Sequence, residues 1–147
     1  MQTYNYGLWI LLAGVDDSGP HIYRIENPAS ASCFDSIGYH AIGSGDIHAI
    51  STFITNEYRV KDTSLNRVIA LVYEGKKRSE KAQGVGPQTD LMVVSRDRTT
   101  HLPAEALTEL DTMYTRRLEE EKRVLADVEK QISELKLVDK YIPKSGA

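Results

Sequence analysis

The stretch GYHAIGSGDIHAISTFI, residues 38–54, changes from a strand-like pattern to a helical pattern at Gly43-Ser44-Gly45. The alternation over Ile37 to Ile42 predicts a third β-strand. Asp46 then suits the N-cap of a helix, and the next apolar residues share one helical face: Ile47, Ile50, Phe53 and Ile54. Small residues at such a turn indicate either backbone that approaches a ligand or a helix that packs closely on its neighbours.

Length and composition describe one ordinary domain. The chain has 147 residues, a formal net charge of -3 and one cysteine, Cys33. The charge gives no electrostatic basis for binding nucleic acid, and a single cysteine excludes a disulfide framework, which favours a reducing compartment. The longest apolar run, Leu8 to Val15, is too short to span a bilayer and lacks the pattern of a signal peptide. We therefore expect a cytoplasmic protein that contacts neither nucleic acid nor membrane.

Residues 8–25 carry the pattern of a β-hairpin. The apolar run GLWILLAGVD, residues 7–16, predicts a strand buried on both faces. Turn-forming residues occupy 16–20, and the alternating HIYRI that follows predicts the second strand. Asn27-Pro28 and the small residues ASAS at 29–32 predict a loop.

A second helix is predicted to begin at Asp62 or Thr63 and to run toward Ala82, ending at Gly84. The stretch TDLMVVSRD, residues 89–97, then predicts a fourth strand. Hairpin turns make the sheet largely antiparallel. The predicted fold class is therefore α+β, an antiparallel sheet covered by two antiparallel helices.

The last part of the chain is predicted to be helical. We expect residues 1–100 to form the α+β domain and 101–147 an amphipathic helical extension, with a helix from 103 to about 137. Its apolar positions keep a spacing of three or four, interrupted by Glu121: Leu118, Leu125, Val128, Ile132 and Leu135. The helix lies either along its own domain or along a neighbouring subunit.

Three kinds of site can be weighed from the polar residues. Four histidines could be metal ligands (His21, His40, His48 and His101), but none belongs to a metal-binding helical pair, so we expect partly exposed or hydrogen-bonded histidines. The turns IGSGD and GVGPQTD match no phosphate-binding loop, and Asp46 would repel an anion. A serine elbow at Ser44 lacks its outer glycines, so composition alone makes Ser44 a packing residue. No metal or cofactor is expected.

Three stretches, taken in order, resemble a known family. ILLAGVDDSGPHIYRI, GYHAIGSGDIHAISTFI and VYEGKKRSEKAQGVGPQTDLMVVSR are similar to the C-terminal half of proteasome-type β-subunits, which are N-terminal-nucleophile hydrolases. The resemblance covers residues 7–97 and implies half of a sandwich in which two sheets lie between two helix layers. It also implies that Ser44 supports the catalytic amine and that the backbone of Gly43 and Gly45 shapes the pocket. Glu80 stands where the family has an aspartate, and Gln83 where it has a serine.

The family's nucleophile is an N-terminal threonine whose α-amine acts as the base. No family-like pattern surrounds Thr3, so we do not expect it to be that nucleophile. The resemblance thus implies a subunit fragment without its catalytic half, inert alone and a threonine-type peptidase when complemented. Its implied partners are like or complementary subunits in an oligomer, and a peptide substrate. The alternative is a non-catalytic assembly protein with an α+β domain and a helical arm, in which the glycine turn serves packing and the KKRSEK run is a solvated helix end.

Overall fold

The computed structural model describes residues 7–28 and 30–141. Its elements, in chain order, are β1 (Trp9–Asp16), β2 (Gly19–Glu26), β3 (Ser30–Cys33), α1 (Asp46–Thr55), α2 (Leu65–Ser79), β4 (Met92–Val94), β5 (Thr99–His101), α3 (Ala104–Glu134) and α4 (Leu137–Tyr141). The predicted α+β class, with an antiparallel sheet and a long C-terminal helix, is confirmed. The chain divides between Leu107 and Thr108 into two compact units.

The predicted hairpin is confirmed. β1 and β2 pair antiparallel from Trp9 opposite Glu26 to Asp16 opposite Gly19. The tight turn follows from local chemistry, because Asp16 Oδ1 accepts a hydrogen bond of 2.7 Å from the backbone N–H of Ser18. Gly19 has a φ of +131°, a conformation that side chains other than glycine rarely adopt.

The position predicted for the third strand is wrong. β3 is Ser30–Cys33, within the stretch predicted as a loop, and it pairs antiparallel with β2. The segment from Ile37 to Ile42 contains no strand. The reason is a turn just after β3, where Asp35 Oδ1 accepts a bond of 2.8 Å from the N–H of Ile22 and ends the pairing.

The alternating residues of that segment pack against the helices instead of entering the sheet. Gly38, with a φ of +76°, turns the chain away from β2. The ring of Tyr39 then stacks on Phe53 of α1 at 4.6 Å, and Tyr58 meets Phe53 edge-on at 5.4 Å. The alternation of apolar and polar residues over this segment therefore comes from packing in an aromatic cluster, which can produce the same sequence pattern as a half-buried strand.

Both predicted helices are confirmed, with different ends. Gly45 is the N-cap of α1, and Asp46 is its first residue. The N-cap of α2 is Ser64, whose side chain accepts from the N–H of Arg67, so neither Asp62 nor Thr63 has that role. α2 ends at Ser79, three residues before Ala82, and its last turn holds three basic residues: Lys76, Lys77 and Arg78.

The two helices run antiparallel and approach closely through glycine. A Cβ placed on Gly45 would lie 2.7 Å from the Cβ of Ser79, and one on Gly75 would lie 3.4 Å from the Cα of Ala49. The core of the first unit centres on this pair. Its most buried apolar residues, among those described, are Phe53, Leu71, Tyr73 and Leu91.

Strand β1 is exposed, so the prediction that it is buried on both faces is wrong. Five consecutive apolar residues are 38–58% exposed: Leu8, Trp9, Ile10, Leu11 and Leu12. Successive side chains point to opposite faces, so both faces of the strand meet solvent. β1 is also the edge of the sheet, with β2 as its one strand partner among the described residues.

The predicted fourth strand exists as β4, but it does not join the first sheet. β4 pairs with β5 in a separate two-stranded sheet, with Val93 opposite Thr100. The backbone N–H of Leu102 donates to the carbonyl of Leu91 at 2.8 Å, which extends this pairing by one bond.

The predicted C-terminal helix is confirmed as α3, which begins at Ala104, one residue after the predicted start, and ends at Glu134 instead of about 137. The chain turns at Lys136, whose φ is +48°, before the short α4. None of the residues of α3 is buried. Across residues 7–28 and 30–141, no helix combines the length and apolar character needed to cross a membrane.

Candidate functional site

The glycine turn borders a cavity of about 1030 Å³ in the first unit, here called the turn cavity. It is lined by residues 40–46, by side chains of α1 and α2 that include Phe53 and Val72, and by the segment 84–91. The turn cavity is therefore lined by the candidate residues Gly43, Ser44 and Gly45.

Gly45 is required by helix packing. Its carbonyl accepts a bond of 2.9 Å from the hydroxyl of Ser79, which also lies 2.8 Å from the carbonyl of Gly75. The same carbonyl receives the N–H groups of His48 and Ala49, both at 3.2 Å, at the start of α1. Because a Cβ at Gly45 would collide with Ser79, close packing explains this glycine without a ligand.

Gly43 and Ser44 are placed differently. Gly43 has a φ of +104°, and no heavy atom lies within 4 Å of where its Cβ would be. Both residues are exposed and line the turn cavity. Gly43 is thus required by backbone conformation. The Ser44 hydroxyl makes no hydrogen bond to the described residues, so it can bond a group that enters the cavity.

Glu80 does not line the turn cavity. Its carboxylate lies 2.8 Å from Nζ of Lys76 and 3.0 Å from Nζ of Lys77. Burial raises the pKa of Glu80, but these two lysines outweigh burial and leave the pKa below its usual value. The structure therefore pairs Glu80 with lysines and leaves it outside the lining of the turn cavity.

Lys76 is a cavity residue that the sequence did not single out. Besides its ion pair with Glu80, its Nζ donates to the carbonyl of Gly86 at 2.9 Å. It thereby ties the segment 84–91 to α2. The Lys-x-x-x-Glu spacing in KKRSEK was the available signal for the ion pair, but the bond to Gly86 depends on a loop that returns to the helix.

His40 also lines the turn cavity. It stacks on Phe34, with ring centroids 3.8 Å apart. Burial, helped by the charge of Arg24, lowers the pKa of His40 below its usual value. Its Nε2 is buried and has no hydrogen-bond partner among the described residues.

A second polar group, here called the His21 cluster, joins Asp16, Ser18, His21 and Asp35. Nδ1 of His21 lies 2.6 Å from Oδ2 of Asp35, and its Nε2 lies 2.8 Å from the hydroxyl of Ser18. This connectivity matches a serine–histidine–aspartate triad. The sequence expectation of a hydrogen-bonded histidine is confirmed for His21.

The fourth member prevents the His21 cluster from acting as a triad. Asp16 Oδ1 accepts the Ser18 hydroxyl at 2.7 Å and lies 3.1 Å from Nε2 of His21. Hydrogen bonds to Asp35 and then Asp16 raise the pKa of His21, and bonds from Ser18 and His21 lower the pKa of Asp16 to about 2. The Ser18 hydroxyl donates its proton to Asp16 instead of His21, so the cluster fastens the hairpin turn to the segment after β3.

Metal binding finds no support in the described ranges, because no three His, Cys, Asp or Glu side chains there are grouped to hold an ion. Thr3, which the sequence already disfavoured as a nucleophile, lies outside the described residues.

Comparison with models of known protein families gives no match to the chain, and comparison with curated proteins gives none either.

Proposed function

We propose that this chain is the part of a proteasome-type subunit that follows the nucleophile-bearing half, and that it works in a threonine-type peptidase. The observation that carries the proposal is the position of Gly43-Ser44-Gly45, which borders a large cavity while the nearby strand β1 is left uncovered. Leu11 of that strand lines the same cavity. A further sheet laid on β1 would thus border the cavity that the Ser44 hydroxyl also lines.

Without that further part, the chain is inert. Among the described residues of the turn cavity, no nucleophile is bonded to a base. The Ser79 hydroxyl is directed at backbone carbonyls, Lys76 is paired with Glu80, and His40 has no partner at Nε2. Catalysis therefore needs a nucleophile and a base from a complementing segment, which is how an N-terminal threonine works.

In the complemented subunit, the residues would divide the work as follows. The Ser44 hydroxyl accepts from or donates to the catalytic amine, and the backbone at Gly43 and Gly45 shapes the space for the peptide. Glu80 acts indirectly, because its ion pair positions Lys76 at the cavity wall. The partners are like or complementary subunits in a cytoplasmic oligomer, and the substrate is a peptide.

A second function, that of a non-catalytic assembly protein, is favoured by one observation. The contact of Gly45 with Ser79 accounts for this glycine by packing alone. In that case the exposed strand and the helical arm bind partner chains, and the turn cavity has no substrate.

The test separates the two functions in the native particle. The first step is to isolate the particle from its source and to determine the mass and N-terminal residue of each subunit. The second is to measure cleavage of a fluorogenic peptide amide by particles that carry Ser44→Ala or, as the control, Ser51→Ala. Ser51 is an exposed serine of α1 that does not line the turn cavity.

The peptidase proposal expects an N-terminal threonine in the particle, and cleavage slowed by Ser44→Ala but unchanged by Ser51→Ala. Loss of one hydrogen bond to a charged amine corresponds to a fall of roughly 10- to 100-fold. Equal rates in the two variants would refute the role of Ser44. Intact particles that lack any peptidase activity would establish the assembly function instead.

A further inference from the structure

The second unit carries a row of exposed apolar side chains. Five of its side chains are 43–62% exposed: Val124, Leu125, Val128, Ile132 and Leu135. Leu125 and Ile132 are seven residues apart, as are Val128 and Leu135, so they follow the two core positions of a heptad. Leu118 extends the first row by one heptad. We call this row the arm seam.

From this pattern we propose that the arm seam pairs with the same seam of a second copy of this chain, in antiparallel orientation. The proposal rests on unit 108–147 alone and does not depend on the peptidase proposal. The charged residues along the seam, rather than its apolar residues, indicate that the partner is a second copy of the chain and that the two helices run antiparallel.

A parallel pair would be repelled by its own charges. Glu121 occupies a core position of the heptad, so a parallel pair in register would place two of these carboxylates against each other. Arg117 and Lys122 flank the seam five residues apart, the spacing that meets across a parallel pair, and they carry the same charge. Like charges held in contact oppose association.

An antiparallel pair removes both conflicts. The register that sets Leu118 level with the partner copy's Leu135 also sets Leu125 level with Val128. Glu121 then meets Ile132 instead of another carboxylate, and keeps its own Arg117 at 3.1 Å. Lys122 lies beside Glu129 of the other helix, and twofold symmetry makes this opposite-charge pair twice.

The area available agrees with a weak dimer. Half-exposed aliphatic side chains at six positions offer roughly 400 Å² per helix, or about 800 Å² for the pair, before flanking residues are counted. This area lies just below the limit of about 1,000 Å² for specific interfaces, so we expect a dissociation constant in the micromolar range.

Sedimentation equilibrium of the purified full-length chain tests the proposal. Wild type is expected to be a concentration-dependent dimer, and Leu125→Glu is expected to abolish association while far-UV circular dichroism stays unchanged, because Leu125 is 58% exposed. Lys122→Glu is expected to weaken association by about 5- to 30-fold, since two attractive surface pairs become repulsive. The double variant Lys122→Glu with Glu129→Lys is expected to restore it.

Two controls make these outcomes specific. Lys130→Glu makes the same charge change on the face opposite the seam and is expected to leave the dissociation constant unchanged. Ile10→Lys, in the exposed strand β1, is expected to have no effect either. The proposal is overturned by a chain that stays monomeric at 100-fold above the expected micromolar range, by dissociation caused by Ile10→Lys, or by tighter association of Lys122→Glu, which would mean a parallel pair.

Discussion

The substitution Gly45→Ala isolates the contact between α1 and α2. The new Cβ would lie 2.7 Å from the Cβ of Ser79 and 3.1 Å from its carbonyl oxygen. Gly45 has φ -100° and ψ 5°, a conformation that is allowed to alanine. Alanine is also a poorer N-cap than glycine, but the larger cost comes from overpacking. Inserting a methyl group into a tightly packed site lowers the free energy of unfolding by about 1–3 kcal/mol.

Two other glycines serve as controls. Gly75→Ala places its Cβ 3.4 Å from Ala49, an ordinary contact, and alanine in a helix interior gains up to about 1 kcal/mol over glycine. Gly86→Ala has no heavy atom within 4 Å of the new Cβ. We therefore expect the free energies of unfolding of Gly75→Ala and Gly86→Ala to be close to or above that of wild type.

Urea unfolding followed by fluorescence of Trp9, which lies in the same unit, measures the effect. With an m-value of about 1–3 kcal/mol/M, Gly45→Ala should lower the midpoint by roughly 1 M. Adding Ser79→Gly removes the Cβ that the alanine meets, so the double variant should lose less stability than the two single variants together. A midpoint for Gly45→Ala that equals that of Gly86→Ala would refute the packing argument.

The pKa values of two histidines should be shifted in opposite directions, which NMR titration of their ring protons can measure. His21 has a raised pKa, so its contribution to folding stability is complete below about pH 6.5 and is lost as pH rises through the folded-state pKa. His40 has a lowered pKa, so its contribution is present above about pH 6.5 and is lost as pH falls through the folded-state pKa. Asp35→Asn should bring the pKa of His21 down; an unchanged titration would contradict the 2.6 Å bond. In α2, Glu74 is 2% exposed and lies 2.8 Å from the guanidinium of Arg78. Arg78→Met should therefore lower the free energy of unfolding by about 1.5–3 kcal/mol in urea titrations, less if Glu74→Leu is also present.

The elements predicted correctly from sequence are those specified by neighbouring residues. The hairpin follows from a run of turn formers between two apolar stretches, and α1 and α2 follow from helical spacing. The third strand was misplaced because its evidence is not local. Four small residues of β3 give no strand pattern, and they pair with β2 because the chain runs back beside it, up to the point where Asp35 bonds to Ile22.

The candidate site was predicted in part for the same reason. The position of Gly43-Ser44-Gly45 at a helix start follows from the local sequence, whereas the partners of Glu80 depend on the rotamers of two lysines. The His21 cluster needs the hairpin register and the turn at Asp35 together. Neither the hairpin register nor the turn at Asp35 can be derived from residue spacing.

Lys76 links two parts of the lining of the turn cavity. Its ammonium group joins α2 to the carbonyl of Gly86 at 2.9 Å. Acetylation of a lysine removes its charge, and here it would also release the ion pair with Glu80. Modification of this one amine would therefore weaken the contact between α2 and the carbonyl of Gly86.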